Sequence, residues 1–362
     1  MPHAHPLLLA VELTGTGAHP ASWRRADSRA EELFTAGYWV DAAVAAERAG
    51  LDLAFLPDSF ALQSGGARGR LEAAGIAARV APATSRLGLI PQVPVTHTEP
   101  FHVSKAIASL DYATLGRAGW EVTVSPGEGQ ARLFGRKPEQ AADSLWHEAD
   151  EAIQVVSRLW DSWEDDAEIR DTESGRFIDR DKLHYIDFAG DNFSVKGPAI
   201  TPRPPQGQPL VAVRADGPHA TRVAVRHGDL IRISAPDLAA AAAARTVLRS
   251  AAAAAGRDPR HIRVLLDIDV HIADSAADAA AELAQLEGWT ATEATGSLRH
   301  VGTAGSLRDL VGEAQQECAA DGLVLRPLAL AAFLARIPDP LLGLRGRLGL
   351  PQPLNRYAID RG

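Results

Sequence analysis

The stretch Arg86–Ser125 constrains the fold more than any other part of the chain. An apolar run, Arg86–Val95, ends in the polar cluster Thr96-His97-Thr98-Glu99. A helix opened by Pro100 follows, and a second apolar segment ends at Ser125. Proline suits the first helical position, whose amide has no intrahelical acceptor. This order describes a βαβ unit, in which a helix connects two parallel strands. Its polar groups follow the first strand, at the sheet end where ligands of parallel α/β folds gather.

The rest of the chain repeats the alternation. Apolar segments at Leu7–Leu13, Leu51–Leu56, Leu210–Ala215, Leu230–Ser234, Arg263–Ile272 and Leu323–Leu325 read as strands. Between them, Tyr38–Ala49, Leu71–Val80, Ala142–Trp160, His219–His227, Leu238–Ala255, Ala276–Leu286 and Leu307–Ala319 read as helices. With the two strands of Arg86–Ser125 the count is eight, which fits an α/β (β/α)8 TIM barrel. A doubly wound open sheet is the competitor, weakened because no GxGxxG follows the first strand. One segment breaks the rhythm: Asp161–Gln208 is polar and proline-rich. Its part His184–Val195 reads as a hairpin, and the whole as an arm outside the barrel. The expected organisation is one barrel domain over residues 1–362 with an excursion at 161–208.

Composition narrows the function. The 362 residues are 46% hydrophobic, with 37 basic against 46 acidic side chains. A net charge of −9 without a basic run argues against nucleic acid as a partner. A single cysteine, Cys318, excludes an intrachain disulfide and a cysteine-cluster metal site. It shares a helical stripe with Leu307, Leu310, Val311 and Ala314 and is expected to be buried and inert. No apolar run approaches the ~20 residues of a membrane span. No secretory leader is recognised, so a cytoplasmic location is expected. His3 and His5 precede the first strand and are assigned no role.

In a barrel the site lies at the carboxyl ends of the strands. Those ends carry Glu12, Asp58, Thr96, His97, Ser125, Arg214–Gly217, Ser234 and Asp267 or Asp269. Asp58 either caps the next segment or binds a ligand. His97 reads as a solvated turn residue more often than as a base. No HExxH, GxSxG or P-loop occurs, and no metal is expected. Such a ring suits a protein that positions a cofactor carrying the chemistry.

Four stretches carry a resemblance. They are His19-Pro20-Ala21-Ser22-Trp23-Arg24; Phe55-Leu56-Pro57-Asp58-Ser59; Thr98-Glu99-Pro100-Phe101-His102 continuing to Gly116-Arg117-Ala118-Gly119-Trp120; and Leu159-Trp160-Asp161-Ser162-Trp163 with Gly175-Arg176-Phe177-Ile178 and Phe193–Pro198. In these the chain resembles the bacterial-luciferase-like flavin-dependent monooxygenases, most closely the nitrilotriacetate monooxygenase component A branch. The resemblance implies a (β/α)8 barrel. It also implies reduced FMN from a separate flavin reductase, O2 and a small organic substrate. Related branches use a deazaflavin. A homo-oligomer, dimer or tetramer, is expected. Alternatives are an oxidoreductase without oxygenation and a non-catalytic flavin-binding barrel.

The resemblance also assigns residues. His19 faces the substrate and is the catalytic candidate. Asp58 sits beside the flavin ring; Thr96 and Ser125 close strands three and four around it. Three positions depart from the family pattern. Glu121 stands in place of an asparagine, and Trp146 in place of a tyrosine. Arg214, Asp216 and Gly217 stand in the turn for the flavin phosphate, where Arg214 is expected to neutralise Asp216.

Overall fold

The computed structural model describes residues 7–292, 295–338 and 340–341. His3 and His5 lie outside them. In chain order the strands are β1 (Leu8–Glu12), β2 (Leu53–Leu56), β3 (Gly88–Pro94), β4 (Gly119–Thr123), β5 (Glu168–Asp171), β6 (Arg176–Ile178), β7 (Phe188–Ala189), β8 (Ser194–Val195), β9 (Leu210–Arg214), β10 (Leu230–Ile233), β11 (Arg263–Ile272), β12 (Leu298–Gly302) and β13 (Gly322–Pro327). Eight of these run parallel in the order β10-β9-β4-β3-β2-β1-β13-β11, and β11 pairs back onto β10. The sheet is therefore a closed barrel, and the open-sheet alternative is excluded.

β12 is a ninth parallel strand. The first half of the ten-residue β11 pairs with β10, and its second half, Ile268–Ile272, pairs with β12. The Leu298 amide donates to the Ala235 carbonyl just beyond β10 (2.7 Å). β12 thus enters between β10 and β11 only near their carboxyl ends. Its sequence, Leu-Arg-His-Val-Gly, is too short and polar to announce a strand by hydrophobic pattern.

Period-two alternation sorts the barrel side chains. Ala10, Phe55, Ile90, Ala212, Leu230, Leu265 and Val324 form a cluster of their own inside the barrel. Their strand neighbours Leu9, Val11, Ala54, Leu56, Leu89, Val211, Val213, Ile231, Val264 and Leu266 belong to a larger cluster under the helices. Helix Pro100–Thr114 begins at Pro100 as expected, and helix Ala142–Trp160 has the expected bounds. The latter buries Leu145, Ala149, Ala152, Ile153, Val156, Leu159 and Trp160 on one stripe.

Residues 161–208 form the arm. β7 and β8 pair antiparallel around Gly190–Phe193, the expected hairpin, and β5–β6 add a second. The arm packs through Trp163, Ala167, Phe188 and Ala199 on Val155 and Leu159 of helix Ala142–Trp160. The Trp163 indole N–H donates to the Ala199 carbonyl (2.7 Å). Cys318 corrects the expectation: it is exposed. Its helix ends at Gln316, and Cys318 takes a left-handed φ of 51°, so the stripe stops at Ala314.

Candidate active site

The inward positions change character two residues beyond the apolar cluster. Glu12 follows Ala10, Gln92 follows Ile90, Arg214 follows Ala212, Arg232 follows Leu230, Asp267 follows Leu265, and Arg326 follows Val324. Parity aims all six into the barrel at its carboxyl-end mouth, and Glu121 of β4 joins them.

Arg232 is the centre of this layer, and it is 1% exposed. Its Nε and Nη2 reach the two oxygens of Asp267 at 2.9 and 3.1 Å. Nη1 reaches Glu121 at 2.9 and 3.2 Å, and Nη2 reaches Glu12 at 2.5 Å. The guanidinium lies 4.6 Å from the centroid of the Phe55 ring below it. Arg214 contacts Asp267 at 2.6 Å and Glu12 at 3.3 Å. Arg326 lies 3.4 Å from Glu12 and 3.2 Å from Asp269. Three arginines therefore face four buried carboxylates. A planar, bidentate guanidinium is the side chain that can serve such a site.

The layer splits its acids. Burial opposes ionisation of Glu12, but Arg232, Arg214 and Arg326 outweigh it and hold the carboxyl well below the usual range. At Glu121 burial prevails over Arg232 and Arg214, and the neighbouring Glu12 and Asp267 add to it, so its pKa is raised. Arg232 is pushed well above its ordinary value, because its three carboxylates outweigh the opposing effect of burial.

The residues expected at the site divide into three groups. At the strand ends, the Asp58 carboxylate accepts from the amides of Ser59 (2.7 Å) and Ala73 (2.8 Å), the first residue of helix Ala73–Val80. The capping reading of Asp58 thus holds, and burial still raises its pKa. Its amide donates to Gln92 (2.9 Å), whose side-chain N–H reaches Glu121 at 3.4 Å. The Ser125 amide donates to the Thr96 hydroxyl (2.9 Å), tying β4 to β3.

The second group is the β9 turn. Arg214 reaches Asp216 only at 3.8 Å, because Asp267 and Glu12 engage it first. Gly217 has φ of 96° and precedes helix Pro218–His227; its amide donates to the Ala215 carbonyl at 3.2 Å.

The third group stands apart from this network. Trp146 is half-buried on the outer core and shares no hydrogen bond with the mouth among the described residues. His19 is buried in the loop after β1, where its Nδ1 accepts from the Ala21 amide (3.1 Å). That bond puts the proton of the neutral ring on Nε2, and burial favours the neutral ring by lowering its pKa. The ring lines a cavity of about 200 Å3 at the ends of β1 and β2.

His97 corrects its reading as a solvated residue. It is buried and stacks on Phe134 with centroids 4.6 Å apart. Both its ring nitrogens, the Ser125 hydroxyl and His19 Nε2 are buried without a protein partner among the described residues. Arg232 was not singled out from the sequence. The available signal was an arginine two residues after Leu230 in the otherwise apolar run Leu230–Ile233.

The model of the luciferase-like monooxygenase family matches residues 16–330. The chain belongs to that family. It is 35% identical over 282 residues to N-acetyl-S-(2-succino)cysteine monooxygenase of Bacillus subtilis (strain 168), covering 77% of this chain and 64% of that protein. It is 31% identical over 282 residues to nitrilotriacetate monooxygenase component A of Aminobacter aminovorans, covering 74% and 62%. The chain thus spans less than two thirds of the length of these curated relatives. The EDTA monooxygenase of Chelativorans sp. BNC1 superposes with a TM-score of 0.81 at 21% identity, over 96% of this chain and 99% of that one. No helix among the described residues is long and apolar enough to cross a membrane.

Proposed function

We propose that this chain is a flavin-dependent monooxygenase that oxidises a small organic substrate with O2 and a reduced flavin supplied by a separate reductase. The observation that carries the reading is the family match over residues 16–330, laid over a barrel mouth that holds unpartnered buried polar atoms. The Ser125 hydroxyl and the ring nitrogens of His97 suit the hydrogen-bonding edge of a flavin ring. A phosphate fits less well. Arg214, Arg232 and Arg326 are all engaged by carboxylates, and Asp216 adds negative charge at the β9 turn. When bound, a reduced flavin supplies the electrons and the centre that activates oxygen. The chain's own part is positional: His97 and Ser125 orient the ring, Gln92 and Asp58 brace the ends of β3 and β2, and the Nε2–H of His19 offers a hydrogen bond to the substrate. FMN binds, but without a strong phosphate contribution. A homodimer accords with the rest of the reading.

A second reading has one observation in its favour. If the engaged arginines have no charge left for a flavin phosphate and Asp216 repels it, the barrel holds flavin only weakly and is not itself catalytic. A deazaflavin, which also carries phosphate, meets the same obstacle. The test is anaerobic titration with reduced FMN, then mixing with O2 in the presence of candidate substrates. The monooxygenase reading expects saturable binding and an altered rate of flavin oxidation. Oxidation at one rate with and without protein removes it.

A further inference from the structure

The cavity at the ends of β1 and β2 is mainly apolar, walled by Leu13, Leu33, Trp39, Leu56 and Ile76. Its volume of about 200 Å3 exceeds the roughly 150 Å3 that accepts benzene in an engineered protein core. A bicyclic ring body fits that scale.

The polar groups in its wall are largely paired with one another. Thr14 donates to Glu12 (3.0 Å), and the Thr16 and Ser22 hydroxyls share a 2.7 Å bond. The Trp39 indole N–H donates to the Leu33 carbonyl (3.0 Å). Gln63 exchanges two bonds with the Gly69 backbone, both 3.0 Å. Among the described residues two side-chain nitrogen groups of the wall have no protein partner: His19 Nε2–H and the guanidinium of Arg70. Arg70 is exposed at the cavity edge and has no hydrogen bond or ion pair among the described residues. It lies within the field of Asp58, but that carboxylate is bonded to the amides of Ser59 and Ala73.

The loop carrying Arg70 is seated on the cavity by two glycines. A Cβ on Gly66 would lie 2.8 Å from the Pro20 carbonyl, and one on Gly69 would lie 3.0 Å from the Phe34 ring. Both have left-handed φ, of 77° and 100°. The close approach therefore depends on glycine at both positions and brings Arg70 to the rim.

We infer that this cavity takes an amphipathic organic acid, with its apolar body among Leu13, Trp39, Leu56 and Ile76 and its anionic group against Arg70. The inference rests on the reading of the chain as an enzyme of small organic substrates and names their class. An unpaired cation beside an apolar chamber selects an anionic head over a neutral one. The arginines of the barrel mouth, each already paired, do not.

The test is calorimetric titration of the full chain, without flavin, with 1-naphthoate and with its neutral counterpart 1-naphthalenemethanol. The acid should bind at least tenfold more tightly than the alcohol. Arg70→Gln should abolish that preference and leave the alcohol unchanged, and Arg70→Lys should restore much of it. Ile76→Phe should weaken both ligands, with its fold checked by circular dichroism. Equal affinities for acid and alcohol, or a preference that survives Arg70→Gln, would overturn the inference. Naphthoate binding without flavin chemistry would count against the proposed function alone. Flavin chemistry without naphthoate binding would count against this inference alone.

Discussion

The lower and upper parts of the barrel interior stand on the same strands and differ by one step of two residues. Below, Ala10, Phe55, Ile90, Ala212, Leu230, Leu265 and Val324 pack as hydrocarbon. Above, Glu12, Arg232 and Asp267 are buried in an ion lattice that the half-buried Arg214 and Arg326 complete. The backbone is common to both, so side-chain chemistry alone makes one end a core and the other a mouth. The lattice adds little net stability, because desolvation of its charges offsets their attraction. Its members depend on one another, however, and the hydrocarbon layer tolerates change of shape.

The largest effect is expected at the lattice centre. Arg232→Met leaves Glu12, Glu121 and Asp267 buried without their shared cation. Removing one partner of a buried ion group costs about 3–5 kcal/mol. In the hydrocarbon layer, Ile90→Val should cost only about 0.5–1.5 kcal/mol. Urea unfolding of both variants checks the order. Equal losses would mean that the two layers do not differ in the way described.

Asp58→Ala removes the acceptor of the first amide of helix Ala73–Val80 and should cost about 0.5–2 kcal/mol, as a lost helix cap does. The same chemical denaturation measures it.

The lattice acids should also separate by pH. Glu12 has a depressed pKa, so its stabilisation is present at neutral pH and is lost as pH falls below the ordinary glutamate range. Glu121 has a raised pKa, so its share is favourable in acid and is lost as pH rises through the folded value. Glu121→Gln lacks that loss. Its stability relative to the wild type should therefore improve as pH rises above the ordinary glutamate range, and thermal melts across that rise would show it. A relative stability that worsens over this window contradicts the assignment.

The smallest effect on the fold is expected at Asp216, which is partly exposed and 3.8 Å from Arg214. Asp216→Ser should leave unfolding almost unchanged and tighten FMN binding several-fold, with riboflavin affinity unmoved.

Much of this was legible in the chain itself. All eight barrel strands follow from alternation of apolar runs with helical periods, because a parallel strand buried on both faces is apolar throughout. The arm and its His184–Val195 hairpin follow from turn residues and polarity. Glu12, Asp58, Thr96 and Ser125 follow from position alone, since each lies at or just after a strand end. The partners of those residues did not follow. The connection from Arg232 to Glu12 joins positions 220 residues apart, and only closure of the barrel brings them together. β12 is stabilised by its neighbours β11 and Ala235 and carries no pattern of its own. His97 looked like a turn residue because Phe134, which buries it, lies 37 positions later beyond β4.

The cations of the mouth are paired internally, and a flavin is therefore expected to be recognised by its ring. Anaerobic titration of the full chain with reduced FMN and with reduced riboflavin tests this most directly. The two affinities should lie within about threefold of each other. An FMN affinity more than tenfold higher, reduced by Arg214→Ala, would show that Arg214 is available to the phosphate and would contradict this expectation.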